Sequence, residues 1–307
     1  MQVYGPVPSR RLGLSLGVDI TPCKTCTLDC VYCQLGRTTD LTVQRTSYFN
    51  VEEIVEEIEQ LAKVRKPDYV TFSGSGEPTL NTNLGKMIEL VKKRTGMAVA
   101  VITNGTLVSE SDVRKELCLA DVLLPSLDAA TDEVFHEINR PHPILKIEQI
   151  IEGLVRLREE YSNKIWLEVM VVKGINDTDK EIKQIRKAID RIQPDRIDIN
   201  TPVRPPSEDI KPPSLSRLRH IQKIFGENSQ LIGNFAPRME TSSISNAETI
   251  ILEMVRRRPV TLRDISGSLG MNLGEAAKYV GILMQEGKVS ETFHGSERYF
   301  VACEKEQ

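Results

Sequence analysis

Nowhere in the 307 residues do about 18 apolar residues follow one another, so no segment is written as a membrane-spanning helix. An excess of either charge is also missing: 40 Lys and Arg stand against 43 Asp and Glu, a formal net charge of -3. That balance argues against a surface built throughout to grip a polyanion, although a local basic stripe would be hidden in the sum. The opening residues Met1-Gln2-Val3-Tyr4-Gly5-Pro6 show no basic stretch leading into an apolar one, which makes a cytoplasmic location the expectation. There is no repeat of solenoid period and no low-complexity tract. What remains is an ordinary globular composition, 40% hydrophobic and 27% charged, long enough for one large domain and a small one.

Cysteine is scarce outside one stretch. Four of the six cysteines fall between Cys23 and Cys33, while Cys118 and Cys303 stand alone. In a cytoplasmic chain such crowding points to metal or redox chemistry rather than to disulfides. Cys26-Thr27-Leu28-Asp29-Cys30-Val31-Tyr32-Cys33 has the spacing C-x3-C-x2-C, in which one loop curls three thiolates around a common centre. Four-iron clusters usually take four protein thiolates, so three would leave one iron free to bind something else. An open position on a metal centre is the mark of chemistry rather than scaffolding. Zinc is the competing reading, because Cys23-x2-Cys26 is zinc-like spacing and Cys23 would complete four ligands. Otherwise Cys23 is a spare thiol, Cys118 a core residue and Cys303 incidental.

From about residue 14 to 230, short β-branched runs alternate with amphipathic stretches. The strands are predicted at Leu14–Ile20, Tyr69–Ser73, Ala98–Thr103, Asp121–Ser126, Ile165–Val172 and Arg196–Asn200. Six strand–helix units in series predict an α/β fold, a partial (β/α)6 barrel, with its chemistry at the C-terminal strand ends. A Pro-rich passage from Thr201 to Pro213 is expected to wrap the barrel mouth. The pattern places the barrel over residues 1–235, a linker over 236–245 and a small domain over 246–307. That last domain reads as three helices and a closing hairpin, the order of a winged helix-turn-helix.

The strand ends carry the candidate site. Thr71-Phe72-Ser73-Gly74-Ser75-Gly76-Glu77-Pro78 brings glycines that let a backbone approach a ligand, and Glu77, an acceptor for an ammonium group. The third strand ends at Asn104, the fourth at Ser126 and Asp128, and the sixth at Asn200. Taken singly, each of these short polar residues serves equally well to shape a turn. His136 and His142, after the fourth strand, are structural or solvated more readily than functional.

With Tyr32 before its last cysteine, the C-x3-C-x2-C loop resembles the hallmark of the radical S-adenosylmethionine (radical SAM) superfamily. The resemblance implies a four-iron, four-sulfur cluster on Cys26, Cys30 and Cys33, with the open iron ligated by S-adenosylmethionine. One electron from the reduced cluster would then break the sulfonium bond and release a 5′-deoxyadenosyl radical. Gly74, Ser75, Gly76 and Glu77 resemble the GGE-type motif that holds the methionyl amine. Asn104, Ser126 and Asp128 match positions that bond ribose or carboxylate, while Asn200 and Tyr32 match positions near adenine. A reduced ferredoxin or flavodoxin is the implied electron donor.

The segment from Pro6 to Gly17 is similar to a branch related to the wyosine-forming tRNA enzymes, over roughly residues 5 to 230. Those enzymes carry further cysteines near the N-terminus, and here none precedes Cys23, so the tRNA reaction does not follow. The substrate is left as RNA, peptide or small molecule. The alternatives are a glycyl-radical activase and a redox sensor with a winged-helix binding domain. From residue 240 onward eight Lys and Arg face ten acidic residues, and the predicted recognition helix Leu273–Gln285 has Lys278 as its one cation. A protein or peptide partner is therefore expected there at least as much as nucleic acid.

Overall fold

The computed structural model describes residues 2–9, 11–202, 208–232, 247–295 and 297–303. The chain opens with a hairpin of β1 (Val3–Ser9) and β2 (Gly13–Val18). Two short strands, β3 (Thr25–Cys26) and β4 (Asp40–Leu41), pair in parallel around the cysteine loop. Strand and helix then alternate: α1 (Val51–Arg65), β5 (Tyr69–Phe72), α2 (Leu84–Thr95), β6 (Val99–Thr103), α3 (Ser111–Leu117) and β7 (Val122–Pro125). There follow α4 (Asp132–Ile138), α5 (Ile147–Glu160), β8 (Lys164–Met170), α6 (Asp179–Ile192), β9 (Arg196–Asn200), α7 (Leu215–Phe225) and β10 (Ser229–Leu231).

The eight-stranded sheet has the order β1-β2-β5-β6-β7-β8-β9-β10. Every pairing beyond the first hairpin is parallel. β1 and β10 are its two edges, so the barrel is partial. All six predicted strands are present, with ends moved by a residue or two. Two strands of this sheet were not foreseen, and neither were the short β3 and β4. β1 contains Pro6 and Pro8, which break a strand pattern but are tolerated at an edge, and β10 has three residues, too few for a pattern.

The helices form for the reasons their sequences give. In α1, Val51, Ile54, Val55 and Ile58 are buried while Glu52, Glu53 and Glu56 face water. The Asn50 side chain accepts from the Glu52 N–H at its start, and Lys66 in the left-handed region ends it. One apolar core runs from Val3 to Phe225 through strands and helices alike.

After residue 246 come α8 (Ala247–Arg257), α9 (Leu262–Leu269) and α10 (Leu273–Gln285), then the antiparallel pair β11 (Val289–His294) and β12 (Glu297–Ala302). α9 and α10 each start with a capping box, Thr261 with Asp264 and Asn272 with Glu275. The expected linker at 236–245 lies outside the described residues, as do Arg10 and residues 203–207 of the Pro-rich passage. β1 belongs to both parts of the molecule: Val3 enters the large core, whereas Val7 is buried in the second core with Ile251, Met254 and Leu269. The N-terminal strand thus supplies packing to the C-terminal elements.

Candidate active site

The loop that follows β2 is tied down on all sides by backbone bonds. Lys24 turns with φ 66° and donates its N–H to Ser75 at 2.8 Å. Glu77 N–H reaches Thr25 O at 3.1 Å, Thr42 N–H reaches Cys26 O at 3.0 Å, and Val31 N–H reaches Ile138 O at 3.0 Å. The cysteine loop is thereby fixed to the ends of β5 and α4.

Each of the three cysteines of the motif meets one nitrogen donor, and the donors come from different segments. Asn104 Nδ2 lies 3.5 Å from Cys26 Sγ, Asn139 Nδ2 3.3 Å from Cys30 Sγ, and Lys24 Nζ 3.6 Å from Cys33 Sγ. Burial pushes the Cys26 thiol up to about 12, with the Glu77 carboxylate adding to it, and pushes Cys30 well above its usual value. Thiols so buried ionise only against a strong local positive charge, such as that of ligated iron.

The donor set, three thiolates of one loop, is one that a polynuclear cluster with one open position can take. Tetrahedral zinc with sulfur at about 2.3 Å needs sulfurs about 3.8 Å apart. Among the described residues no three His, Cys, Asp or Glu side chains are placed to hold one metal ion. Cys23, the fourth ligand of the zinc reading, is exposed.

The Gly-rich turn after β5 lies directly on this loop. A Cβ on Gly76 would meet Thr25 O at 2.2 Å and Thr21 Oγ1 at 2.6 Å, and one on Gly74 would meet Asp19 Oδ1 at 2.2 Å. Asp19 takes the Ser75 N–H on Oδ2 at 3.1 Å and the Ser75 hydroxyl on the same oxygen. Asp19 Oδ1 and Thr21 Oγ1 are both buried with no hydrogen-bond partner. Buried polar atoms are rarely left so, and this pair marks a place where a polar ligand group would be met. Sequence reasoning passed over both; their position between strand and cysteine loop was the available signal.

Glu77 was expected to face an ammonium group, but it is 2% exposed and its carboxylate is turned inward. It accepts from Thr79 N at 3.0 Å, Thr79 Oγ1 at 2.7 Å, Thr103 Oγ1 at 2.5 Å and Asn104 N at 2.7 Å. Burial raises its pKa while these donors oppose the rise. In this arrangement Glu77 clamps the β5 turn to the end of β6 and so positions Asn104.

Asp128 was expected near ribose and Tyr32 near adenine; the structure joins them to each other. Tyr32 Oη donates to Asp128 Oδ2, Asn139 Nδ2 donates to the same oxygen at 2.9 Å, and Met170 N–H donates to Oδ1 at 2.9 Å. Burial pushes the Asp128 carboxyl up to about 6 against those donors. Asn139, absent from the sequence reading, therefore bridges Cys30 and Asp128. Ser126 is half-buried and bridges to Glu168 of β8. Asn200 is buried, and its Oδ1 accepts from Thr201 N at 3.0 Å.

A cavity of about 440 Å³ runs along the inner face of the sheet. Of the predicted residues it gathers Tyr32, Cys33, Gly74 and Asn200; Cys26, Cys30, Ser75, Gly76, Glu77, Asn104, Ser126 and Asp128 do not line it. His136 is exposed and His142 half-buried, and neither lines the cavity. Tyr4 of β1 enters it over Gly17, whose missing Cβ would meet the ring at 2.2 Å. The Arg257 guanidinium of α8 lies 4.3 Å from the same ring, so the C-terminal elements form one side of the cavity.

Comparison with known proteins agrees with this layout. Residues 20–187 match the radical SAM superfamily. The chain is 37% identical over 266 residues to a UPF0026 protein of Methanocaldococcus jannaschii, covering 84% of this chain and 82% of that one. It is 34% identical over 295 residues to a protein named GTPase Obg of Brachyspira hyodysenteriae, covering 94% of this chain but 43% of that protein, less than half its length. Among solved structures, a radical SAM methyltransferase from Sphaerobacter thermophilus superposes with a TM-score of 0.57 at 18% identity, covering 71% of this chain and 65% of that one. At that identity the likeness is one of fold.

Proposed function

The chain belongs to the radical SAM superfamily, and on that premise we propose that it binds its cluster through Cys26, Cys30 and Cys33 and acts on a substrate held in the cavity beside Tyr32 and Cys33. It is an enzyme, and its cofactors are a four-iron, four-sulfur cluster and S-adenosylmethionine. The observation that carries the assignment is the separate nitrogen donor at each of the three sulfurs, Asn104, Asn139 and Lys24. Donors aimed at metal-bound sulfur stabilise its negative charge and tune the reduction potential. Cys26, Cys30 and Cys33 would hold the cluster, which would supply the electron for reductive cleavage of the sulfonium bond of S-adenosylmethionine.

The protein's own residues bind, orient and shield. Asp19 Oδ1 and Thr21 Oγ1, buried and unpartnered beside the Gly74–Gly76 turn, are the groups we assign to the methionyl ammonium. Gly74 and Gly76 keep that approach free of side chains. Glu77 holds Asn104 in place, and the Tyr32–Asp128–Asn139 network holds the cysteine loop against β7 and β8. The cavity volume suits a small molecule, or one reacting residue of a larger one, kept from bulk water. A reduced ferredoxin or flavodoxin is the proposed electron source. No helix among the described residues is long and apolar enough to cross a membrane, and we propose that the chain works in the cytoplasm.

The test is anaerobic reconstitution of the full chain with iron and sulfide, reduction, addition of S-adenosylmethionine and chromatography for 5′-deoxyadenosine. Its formation, dependent on reductant, is the expected result. A reduced cluster that binds S-adenosylmethionine and never cleaves it, with candidate substrates present, overturns the reading.

A further inference from the structure

Arg258 follows the last turn of α8 and lines the cavity, and its Nη2 is buried with no hydrogen-bond partner. A guanidinium nitrogen withdrawn from water without an acceptor is costly, so the position makes sense when something outside the chain supplies the acceptor. The other charges in the wall are accounted for. Arg11 is paired with Glu168, and Arg257 donates to Glu253 at 2.9 Å while stacking on Tyr4. Asp264 uses Oδ2 on Thr261 N at 3.0 Å in the cap of α9. Arg263, in the first turn of α9, makes no ion pair among the described residues, and neither does Glu297 of β12. Among the described residues Arg258 and Arg263 thus line this side of the cavity without an ion pair, Arg258 with its Nη2 withdrawn from water and Arg263 exposed, beside the carboxylates of Asp264 and Glu297.

We propose that this side of the cavity is an oxyanion site, in which Arg258 and Arg263 hold a phosphate or carboxylate group of the substrate. The inference deepens the proposed function, since it names the chemistry by which that cavity selects its substrate. Planar guanidinium groups match both oxyanions with paired N–H bonds, and the buried Nη2 of Arg258 would gain most from such a partner. It also assigns a task to the C-terminal elements: they complete the substrate chamber. Tyr4 under Arg257 and Val7 in the second core fix them against the barrel, which sets where the arginines stand.

The site is tested without radical chemistry, so its failure is separable from that of the enzymatic reading. Calorimetric titration of the full chain at constant ionic strength, with pyrophosphate in one arm and citrate in the other, distinguishes the two oxyanions. Binding of at least one is expected, weakened about tenfold or more in Arg258→Gln and in Arg263→Gln. Arg256→Gln, whose side chain is 57% exposed and pairs with Glu253, serves as the control and leaves binding unchanged. Thermal melts of each variant separate lost binding from lost folding, and Arg258→Lys, which keeps the charge, recovers part of the affinity if the variant is folded. No binding of either anion by the wild-type chain, or equal binding by the wild type and both glutamine variants, overturns the proposal. So does an equal loss of S-adenosylmethionine affinity in the reconstituted Arg258→Gln enzyme, which would assign the arginine to the cofactor.

Discussion

The hydroxyl of Tyr32 donates to the carboxylate of Asp128, 96 residues further along the chain. Tyr32 sits between Cys30 and Cys33, so this bond ties the cysteine loop to the end of β7 from inside the motif itself. Replacing Tyr32 by Phe leaves the buried carboxylate with one donor fewer. We expect a loss of about 1–3 kcal/mol in chemical denaturation of the chain. An unchanged denaturation midpoint would mean that the bond contributes nothing.

Cys30→Ala should remove the cluster, read as iron and sulfide content after reconstitution, and with it the cleavage of S-adenosylmethionine. Cys23→Ala should keep both, because Cys23 is exposed. Loss of iron in the Cys23 variant would restore the four-ligand zinc-like arrangement as a contender.

At Gly76 a methyl group would meet a backbone oxygen, Thr25 O, at 2.2 Å, and backbone yields poorly. Gly76→Ala is expected to cost about 1–3 kcal/mol in stability and to lower cofactor affinity in the reconstituted enzyme. Gly36→Ala is the comparison, since nothing lies within 4 Å of the added atom, although its φ of 81° carries its own strain. If Gly76→Ala loses no more than Gly36→Ala, the close approach of turn and loop is not as described.

Arg140, in the left-handed region beside Asn139, donates to Glu208 and holds that carboxyl below its usual value. A depressed carboxyl contributes stability above its unfolded pKa and loses it as pH falls through the folded one. The melting temperature of the wild type should therefore exceed that of Glu208→Gln at pH 7, with the gap closing as pH drops below the ordinary glutamate range. A gap that widens on acidification would contradict the pairing.

Tyr4 packs against Gly17, and its ring also meets the Arg257 guanidinium. Gly17→Ala would displace the ring and remove a link between barrel and α8. Faster amide exchange in Ala247–Arg257 is the expected readout, and exchange equal to wild type would show that the contact does not hold the helix.

Much of this was legible from composition and pattern. The cysteine spacing, the six parallel strands and the three C-terminal helices follow from residues close together in sequence, where periodicity and ligand spacing act. The Gly74–Gly76 turn was legible for the same reason. The roles of Glu77 and Asp128 were not, because a carboxylate at a strand end can turn toward a ligand or toward the protein. Which it does depends on donors far away in sequence, Thr103 and Asn104 for one, Tyr32 and Asn139 for the other.

The sequence by itself determined the barrel and the gathering of three thiolates in one loop, since both are local statements, while the class of cofactor came through the resemblance of that loop to a known family. Tertiary structure decided the rest: which nitrogen meets each sulfur, which polar atoms stay unpartnered, and that α8 and α9 wall the chamber with arginines. Most of those facts arise from burial and from pairs brought together over long separations, such as Asn104 with Cys26, 78 apart, and Asn139 with Cys30, 109 apart, while Lys24 and Cys33 are 9 apart. No periodicity encodes such pairs; the free energy of packing the whole chain selects them.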